Sequence, residues 1–456
     1  MSTPSLQIHP ELPIREKVRH LQEFLGNHYF DEQGLMYAMW FWKGQELRPF
    51  RAGDTINCDP GEGRYTTHGY LNYENSPWTS GLFLWSQCLR FSVTGEEQAL
   101  AFAARAFDSI DRILQLGEAR GEKGYVCKPY DGKVSEETSA DQYCAVMMGL
   151  WAYRAIAPAA ARARIDECIP QMADWWRTRN YSIQYFTYKL VGCDQYEFFN
   201  LGFIALNMMA YLATGRWEYL KEAQRLSGLM AAIPTPYDKR REQMFDGTLD
   251  RSEWLKGFEH DPERYPYLIV DIECRPVTWL VLCSLPFLME HDLSRTHLFK
   301  YVLSRIYKHI QYGLRPDLLS LWVIQVDLER DLWFPMNVPP TPESEARPRF
   351  NDHVYSYYSE ICYGDETGRI PHVGVLAHRY ARDFCPGALT LAKTLLRKLD
   401  NRRLHWFIDP DGKQFHPFDA WMADVLSSEV PAFTCLTYWA ARAYGIPLEE
   451  DHARQS

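Results

Sequence analysis

Ser92-Val93-Thr94-Gly95-Glu96-Glu97-Gln98-Ala99-Leu100 returns in altered form as Leu212-Ala213-Thr214-Gly215-Arg216-Trp217-Glu218-Tyr219-Leu220. Each copy has an apolar helical pattern, a Thr-Gly stop and a second helical pattern. Halfway between the two glycines lies another break, Ala157-Pro158. The spacing predicts a repeat of roughly 60 residues with two helices per unit, the signature of a stacked or closed helical array.

Working outward, apolar residues recur at helical spacing over 14–29, 78–94, 97–116, 140–156, 159–178, 197–213, 216–232, 276–290, 294–312, 371–383, 387–400 and 428–444. Strand-like alternation is sparse, and Tyr181 to Leu190 reads as a short hairpin. Two classes of connection alternate. Thr94-Gly95-Glu96, Ala157-Pro158, Thr214-Gly215-Arg216, His291-Asp292-Leu293 and Phe384-Cys385-Pro386 are tight helix–helix turns. Residues 30–77, 117–139, 179–196, 233–275, 313–370 and 401–427 are long loops. If the first helix of each pair is inner, the inner helices start near Trp78, Asp141, Glu197, Pro276, His372 and Glu429. The N-terminal helix then becomes the outer partner of the last inner one. The expected fold is all-α: an (α/α)6 toroid of six helical hairpins, favoured over an open solenoid by this wrap-around pairing. Residues 1–456 are read as a single catalytic domain, with loops 30–77, 233–275 and 313–370 on its active-site face.

Composition narrows the function. The 456 residues carry 59 Asp and Glu against 49 Lys and Arg, a net charge of −10, so no nucleic-acid partner is expected. Met1 to Pro13 has no basic stretch leading into an apolar one, and the longest apolar run, Val277 to Met289, is too short to span a bilayer. The 11 cysteines are scattered without a CxxC pair and read as small hydrophobes. Together these point to a cytoplasmic protein without membrane association. No metal site and no cofactor are expected. Association into a homo-oligomer is left open. Aromatic residues make up 14% of the chain, enough to pack a double ring and also line a groove.

All six long loops lead into inner-helix N-termini, where free N–H groups and the helix dipole favour carboxylates. Asp141-Gln142-Tyr143 opens one inner helix, and Asp194-Gln195-Tyr196 precedes the next. Two carboxylates on adjacent walls suit glycosidic acid/base chemistry, which needs one protonated acid and one ionised partner. Each Asp could equally cap its helix. Asp141, Asp194 and Glu197 are the candidate catalytic residues, with Glu197 a rival to Asp194. Glu273 and Arg275 precede Pro276, and Arg275 suits a bidentate contact with a substrate carboxylate. Trp78, Tyr143 and Tyr196 are candidate stacking platforms for sugar rings. His68, Tyr357 and His372 complete the candidate binding set, with His353, Glu360 and Arg369 nearby in sequence. His405, Trp406, His416 and Trp421 are read as rim. No phosphate-binding loop, HExxH helix or nucleophile elbow occurs.

Pro77-Trp78-Thr79-Ser80-Gly81, then Phe83-Leu84-Trp85, then Thr94-Gly95-Glu96, resembles the first inner hairpin of the six-hairpin glycosidases. The chain is most similar to their unsaturated glucuronyl and rhamnogalacturonyl hydrolases. In that family two Asp residues at successive inner-helix starts carry function. Asp141 matches the first. Anchoring on Asn200-Leu201 puts Tyr196, between Asp194 and Glu197, where the family has its second. The resemblance implies hydrolysis of an acidic, uronate-containing oligosaccharide without a metal or organic cofactor. An acid protonates the C4=C5 vinyl ether, water adds at C5, and the hemiketal opens to release the next sugar. A polysaccharide lyase or sugar epimerase using Tyr196, His372 and Arg275 is the second reading. A non-catalytic carbohydrate-binding toroid or helical scaffold is the third.

Overall fold

The computed structural model describes residues 5–54, 64–185, 188–190, 197–231, 268–270, 284–314, 324–327, 332–335, 362–363, 365–408 and 424–449. Twelve helices of eight residues or more occur among them, close to where the periodicity placed them. They are α1 (Ile14–His28), α3 (Ser76–Thr94), α4 (Glu97–Ala119), α5 (Ala140–Arg154), α6 (Ala159–Thr178) and α7 (Glu197–Thr214). The rest are α8 (Trp217–Ala231), α9 (284–291), α10 (Thr296–Gly313), α11 (Asp365–Tyr380), α12 (Ala388–Lys398) and α13 (Glu429–Ala443). A seven-residue helix, α2 (Thr67–Tyr73), precedes α3.

The Thr-Gly echo is one turn made twice. Gly95 and Gly215 take left-handed φ of 69° and 70°, and their N–H groups bond Phe91 O and Tyr211 O, each at 2.7 Å. Thr94 Oγ1 donates to Arg90 O at 2.8 Å and accepts from Glu96 N at 3.2 Å. Thr214 repeats both bonds with Ala210 O and Arg216 N. Glycine is needed because other L residues resist this φ.

The hairpins pack as α3 on α4, α5 on α6, α7 on α8 and α11 on α12, while α1 lies on α13. Among the inner helices, α7 meets α5, α5 meets α3, α3 meets α13, and α13 meets α11. This run of neighbouring inner helices, with the N-terminal helix as outer partner of the last of them, is the arrangement of an (α/α)6 toroid. Burial separates the two layers. Outer α4 buries one stripe, Ala99, Phe102, Ala103, Ala106, Phe107 and Ile110. Inner α3 and α13 are buried on every side over most of their length. Small residues let the inner backbones close up. A Cβ on Gly81 would lie 2.3 Å from the Ala145 carbonyl, and one on Gly149 would lie 2.6 Å from Gly81 O. One on Gly368 would lie 2.9 Å from Val430 Cα. These contacts draw the starts of α5, α3, α13 and α11 together.

Two expectations need correction. The segments read as loops carry small sheets. β1 (Met39–Lys43) pairs antiparallel with β2 (Glu46–Arg48) and with a strand from the 401–427 segment, Val425–Ser427, in register Met39↔Ser427 and Phe41↔Arg48. Met39-Trp40-Phe41-Trp42 is aromatic and β-prone, a signal outweighed by the helical periodicity around it. The short hairpin also forms, Ile183–Tyr185 against Tyr188–Leu190. Second, α11 begins at Asp365, not at Pro371. Pro371 lies in the second turn and removes one backbone bond, in a stretch where Ile370, Val373, Val375 and Leu376 are all buried. Among the described residues no helix is long and apolar enough to cross a membrane.

Candidate active site

Four inner-helix starts meet in one hydrogen-bonded chain. Asp141 lies in the first turn of α5, half-buried, and its Oδ2 accepts from Gln142 Nε2 at 3.1 Å. Gln142 Nε2 also donates to Asn75 Oδ1 at 3.0 Å. Asn75 Nδ2 donates to Glu429 Oε1 at 3.1 Å, at the start of α13. Arg369, on α11, completes the chain through Nε to Glu429 Oε2 at 3.0 Å and a second, close Nη2 contact. Gln142, Glu429 and Arg369 are buried. Such charge-assisted bonds stay strong where water is excluded.

Local sequence explains each position. Asn75 is the N-cap of α3 yet makes no side-chain cap bond. Gln142 does that work from α5: its Oε1 accepts from Trp78 N at 3.0 Å, an amide of the first turn of α3. Glu429 is set by the small sheet. The strand Val425–Ser427 runs into α13, Ser428 N bonds Ala38 O at 3.0 Å, and Thr79 Oγ1 meets Ser428 Oγ at 2.5 Å. Beside Asn75, buried Glu74 pairs with Lys128 Nζ and Tyr130 Oη from the 117–139 segment. That pairing ties the segment leading into α5 to the start of α3.

Asp141 is not the helix cap. Ser139 holds that position, also without a side-chain bond. Among the described residues Gln142 is the one hydrogen-bond partner of Asp141, and Oδ1 on this half-buried side chain meets no other. That is the arrangement of a group able to deliver or take a proton.

Three predicted platform or shuttle residues sit elsewhere. Trp78 is 1% exposed and packs edge-on against Phe433 of α13, at 5.8 Å between centroids. Its helix is buried all round, so its ring fills the inner core and presents no face to a sugar. Tyr143 is 2% exposed and stacks on Trp175 of α6. Its hydroxyl donates to Gly124 O and accepts from Val126 N, both at 3.0 Å. Burial pushes its phenol well above the usual 10, and it serves as a strut between α5, α6 and the 117–139 segment. His372 lies inside α11, fully buried against Trp85 and Phe433, and among the described residues neither ring nitrogen has a hydrogen-bond partner. Burial pushes its imidazole down to about 3, so it is neutral and sealed from any substrate. These three followed from nearness to an inner-helix start in sequence. Side-chain direction around the helix decided otherwise.

His68 is half-buried on α2, with Nε2 3.4 Å from Thr66 Oγ1. Its neighbours belong to an Asp131–Thr66 contact, apart from the Asp141 chain. Glu197 begins α7, whose inner position beside α5 is clear, but its side chain lies outside the described residues, as do Asp194, Tyr196, Glu273, Arg275 and Tyr357. Of the expected rim, His405 stacks on Trp42 at 4.7 Å, while His416 and Trp421 also lie outside. Sequence reasoning did not single out Asn75, Gln142 or Glu429 as members of this hydrogen-bonded chain. Their signal was present in Glu74-Asn75-Ser76-Pro77 and Ser428-Glu429-Val430-Pro431, two acid-plus-proline helix starts. Among the described residues no cluster of three His, Cys, Asp or Glu could hold a metal ion.

No protein-family model matches the chain, and no curated protein does. Among the solved structures similar to the chain, two match over 93% of it. One is a sugar epimerase from a ruminal bacterium, at 14% identity, TM-score 0.50 and 98% of that chain. The other is cellobiose 2-epimerase from Bacillus thermoamylovorans B4167, at 11% identity, TM-score 0.49 and 99% of that chain. At such identities the first likeness speaks for the toroid fold alone.

Proposed function

We propose that the protein is a carbohydrate-processing enzyme that hydrolyses an acidic, uronate-containing oligosaccharide, with Asp141 as its acid/base. The observation that carries this reading is Asp141 itself. It is half-buried at the start of an inner helix and held through one oxygen by Gln142, with the other oxygen unengaged among the described residues. Asp194 or Glu197, at the start of the adjacent α7, is the second carboxylate in this proposal, and Arg275 is the partner of the substrate carboxylate.

In this mechanism protonated Asp141 gives its proton to C4 of a C4=C5 vinyl ether. Positive charge develops at C5 and the ring oxygen. The resulting Asp141 carboxylate takes a proton from water as that water adds at C5. The hemiketal then opens, and C1 releases the next sugar. The net change is addition of one water, and Asp141 ends as it began.

An epimerase or lyase is the alternative, and the fold likeness to a sugar epimerase keeps it in view. The enclosure of His372 by Trp85 and Phe433 counts against the version in which that ring abstracts the proton. The test is direct. Incubation with unsaturated uronyl disaccharides should remove the ultraviolet absorbance of the vinyl ether. A gain of that absorbance on intact acidic polysaccharide would establish a lyase instead. Conversion of a reducing sugar to its epimer, seen by proton NMR without either change, would establish an epimerase.

A further inference from the structure

We propose that Asn75 and Gln142 are positioning residues that form a two-amide relay, fixing the Asp141 carboxylate and tying it to the Glu429–Arg369 ion pair. This deepens the function proposed above and rests on Asp141 being its acid/base.

The orientation of both amides follows from the chain's two ends. Ionised Glu429, paired with Arg369, can only accept, so Asn75 must turn its Nδ2 toward it. Asn75 Oδ1 then faces Gln142 and requires Nε2 there. Reading from the other end, Trp78 N can only donate, which requires Gln142 Oε1. Both ends demand the same arrangement. Reversing either amide would set donor against donor and acceptor against acceptor. The outcome is an N–H aimed at Asp141 Oδ2. That oxygen is fixed as an acceptor, so the transferable proton belongs on Oδ1.

The helix caps argue that the arrangement is more than packing. An N-cap Asn ordinarily accepts from its own helix. Asn75 gives up that bond, and Gln142 supplies the cap from the neighbouring helix. Other groups nearby are engaged elsewhere or belong to the relay. Glu74 is taken by Lys128 and Tyr130, and burial together with the Asp141 charge pushes the Cys144 thiol up. Among the described side chains at the starts of the neighbouring inner helices the charged groups are Glu429 and Arg369, while Asp365 and Glu366 on α11 and Glu197 on α7 occupy first-turn positions.

The test reads Asp141 without needing turnover. The infrared carboxyl band of full-length protein, as the difference between wild type and Asp141→Asn, gives the Asp141 ionisation midpoint. Gln142→Met keeps the volume and removes the donor, so the midpoint should rise by roughly one pH unit. Asn75→Leu should raise it by less, and should add nothing in the Gln142→Met background. The alkaline limb of the pH–rate profile should move up with the midpoint. An unchanged midpoint in folded Gln142→Met would overturn the relay. So would an Asn75→Leu shift that is undiminished in the double variant. If Gln142→Met does not fold, Asn75→Leu alone decides: a rise supports the relay and no change overturns it. Midpoints that move in a protein with no activity on uronates would sink the proposed function and leave the relay standing.

Discussion

Asp141 and His372 are both ionisable residues of inner helices, and their surroundings give them opposite fates. Asp141 keeps one oxygen unengaged among the described residues, at a helix start. His372 is shut into an aromatic layer, and burial holds its pKa near 3, below the unfolded value of about 6.5. Between those values the unfolded chain binds a proton that the folded chain does not. His372 therefore leaves stability intact above about pH 6.5 and erodes it as pH falls toward 3. His372→Leu should lose less melting temperature than wild type between pH 6.5 and 4. Parallel melting curves for the two proteins across that window would refute the assignment. The place of Asp141 in the first turn of an inner helix was legible, because apolar periodicity and the break before it sufficed. Sequence reasoning misplaced His372, Trp78 and Tyr143, because a residue's angle around a helix depends on neighbours far along the chain. Glu429 and Asn75 stand 354 residues apart. No local pattern joins them.

The elements that were legible are those with periodic apolar faces and glycine stops. Thr94-Gly95 and Thr214-Gly215 announced their turns because the hydrogen bonds that close them are local. The pairing of β1 with Val425–Ser427 was not visible, since it joins segments at opposite ends of the sequence, and the β-prone signal of Met39–Trp42 was outweighed by the helical periodicity around it. Helix-to-helix contact distances were equally hidden, and two glycines expose them. Gly81→Ala would drive a methyl into the Ala145 backbone, and should cost about 1–3 kcal/mol in urea unfolding. Gly228→Ala on outer α8 meets nothing within 4 Å and should instead stabilise by about 0.4–1 kcal/mol. Equal effects at the two positions would contradict the backbone-to-backbone packing of α3 on α5.

At the scale of the whole molecule, closure of the ring is what brings α13 beside α3, and hence Glu429 beside Asn75. Lys17 helps secure that closure. It is buried on α1, and its ammonium donates to Leu396 O, Arg397 O and Leu399 O, at 3.4, 2.5 and 2.8 Å, around the end of α12. A cation there satisfies carbonyls the helix cannot. Lys17→Met should lower unfolding free energy by about 1–3 kcal/mol in urea. An unchanged midpoint would show that the N-terminal helix is held by its apolar face alone. The toroid was legible from the count and alternation of helices and turns. The reaction was not, because this architecture gathers polar groups from several helix starts and leaves their chemistry to individual side chains. The central claim is that Asp141 moves the proton. It is tested most directly by the turnover of unsaturated uronyl disaccharide by Asp141→Asn, set beside wild type of matched thermal stability. We predict a folded protein slowed by roughly two to four orders of magnitude, the range of a lost general acid. Turnover within a few-fold of wild type would contradict the account.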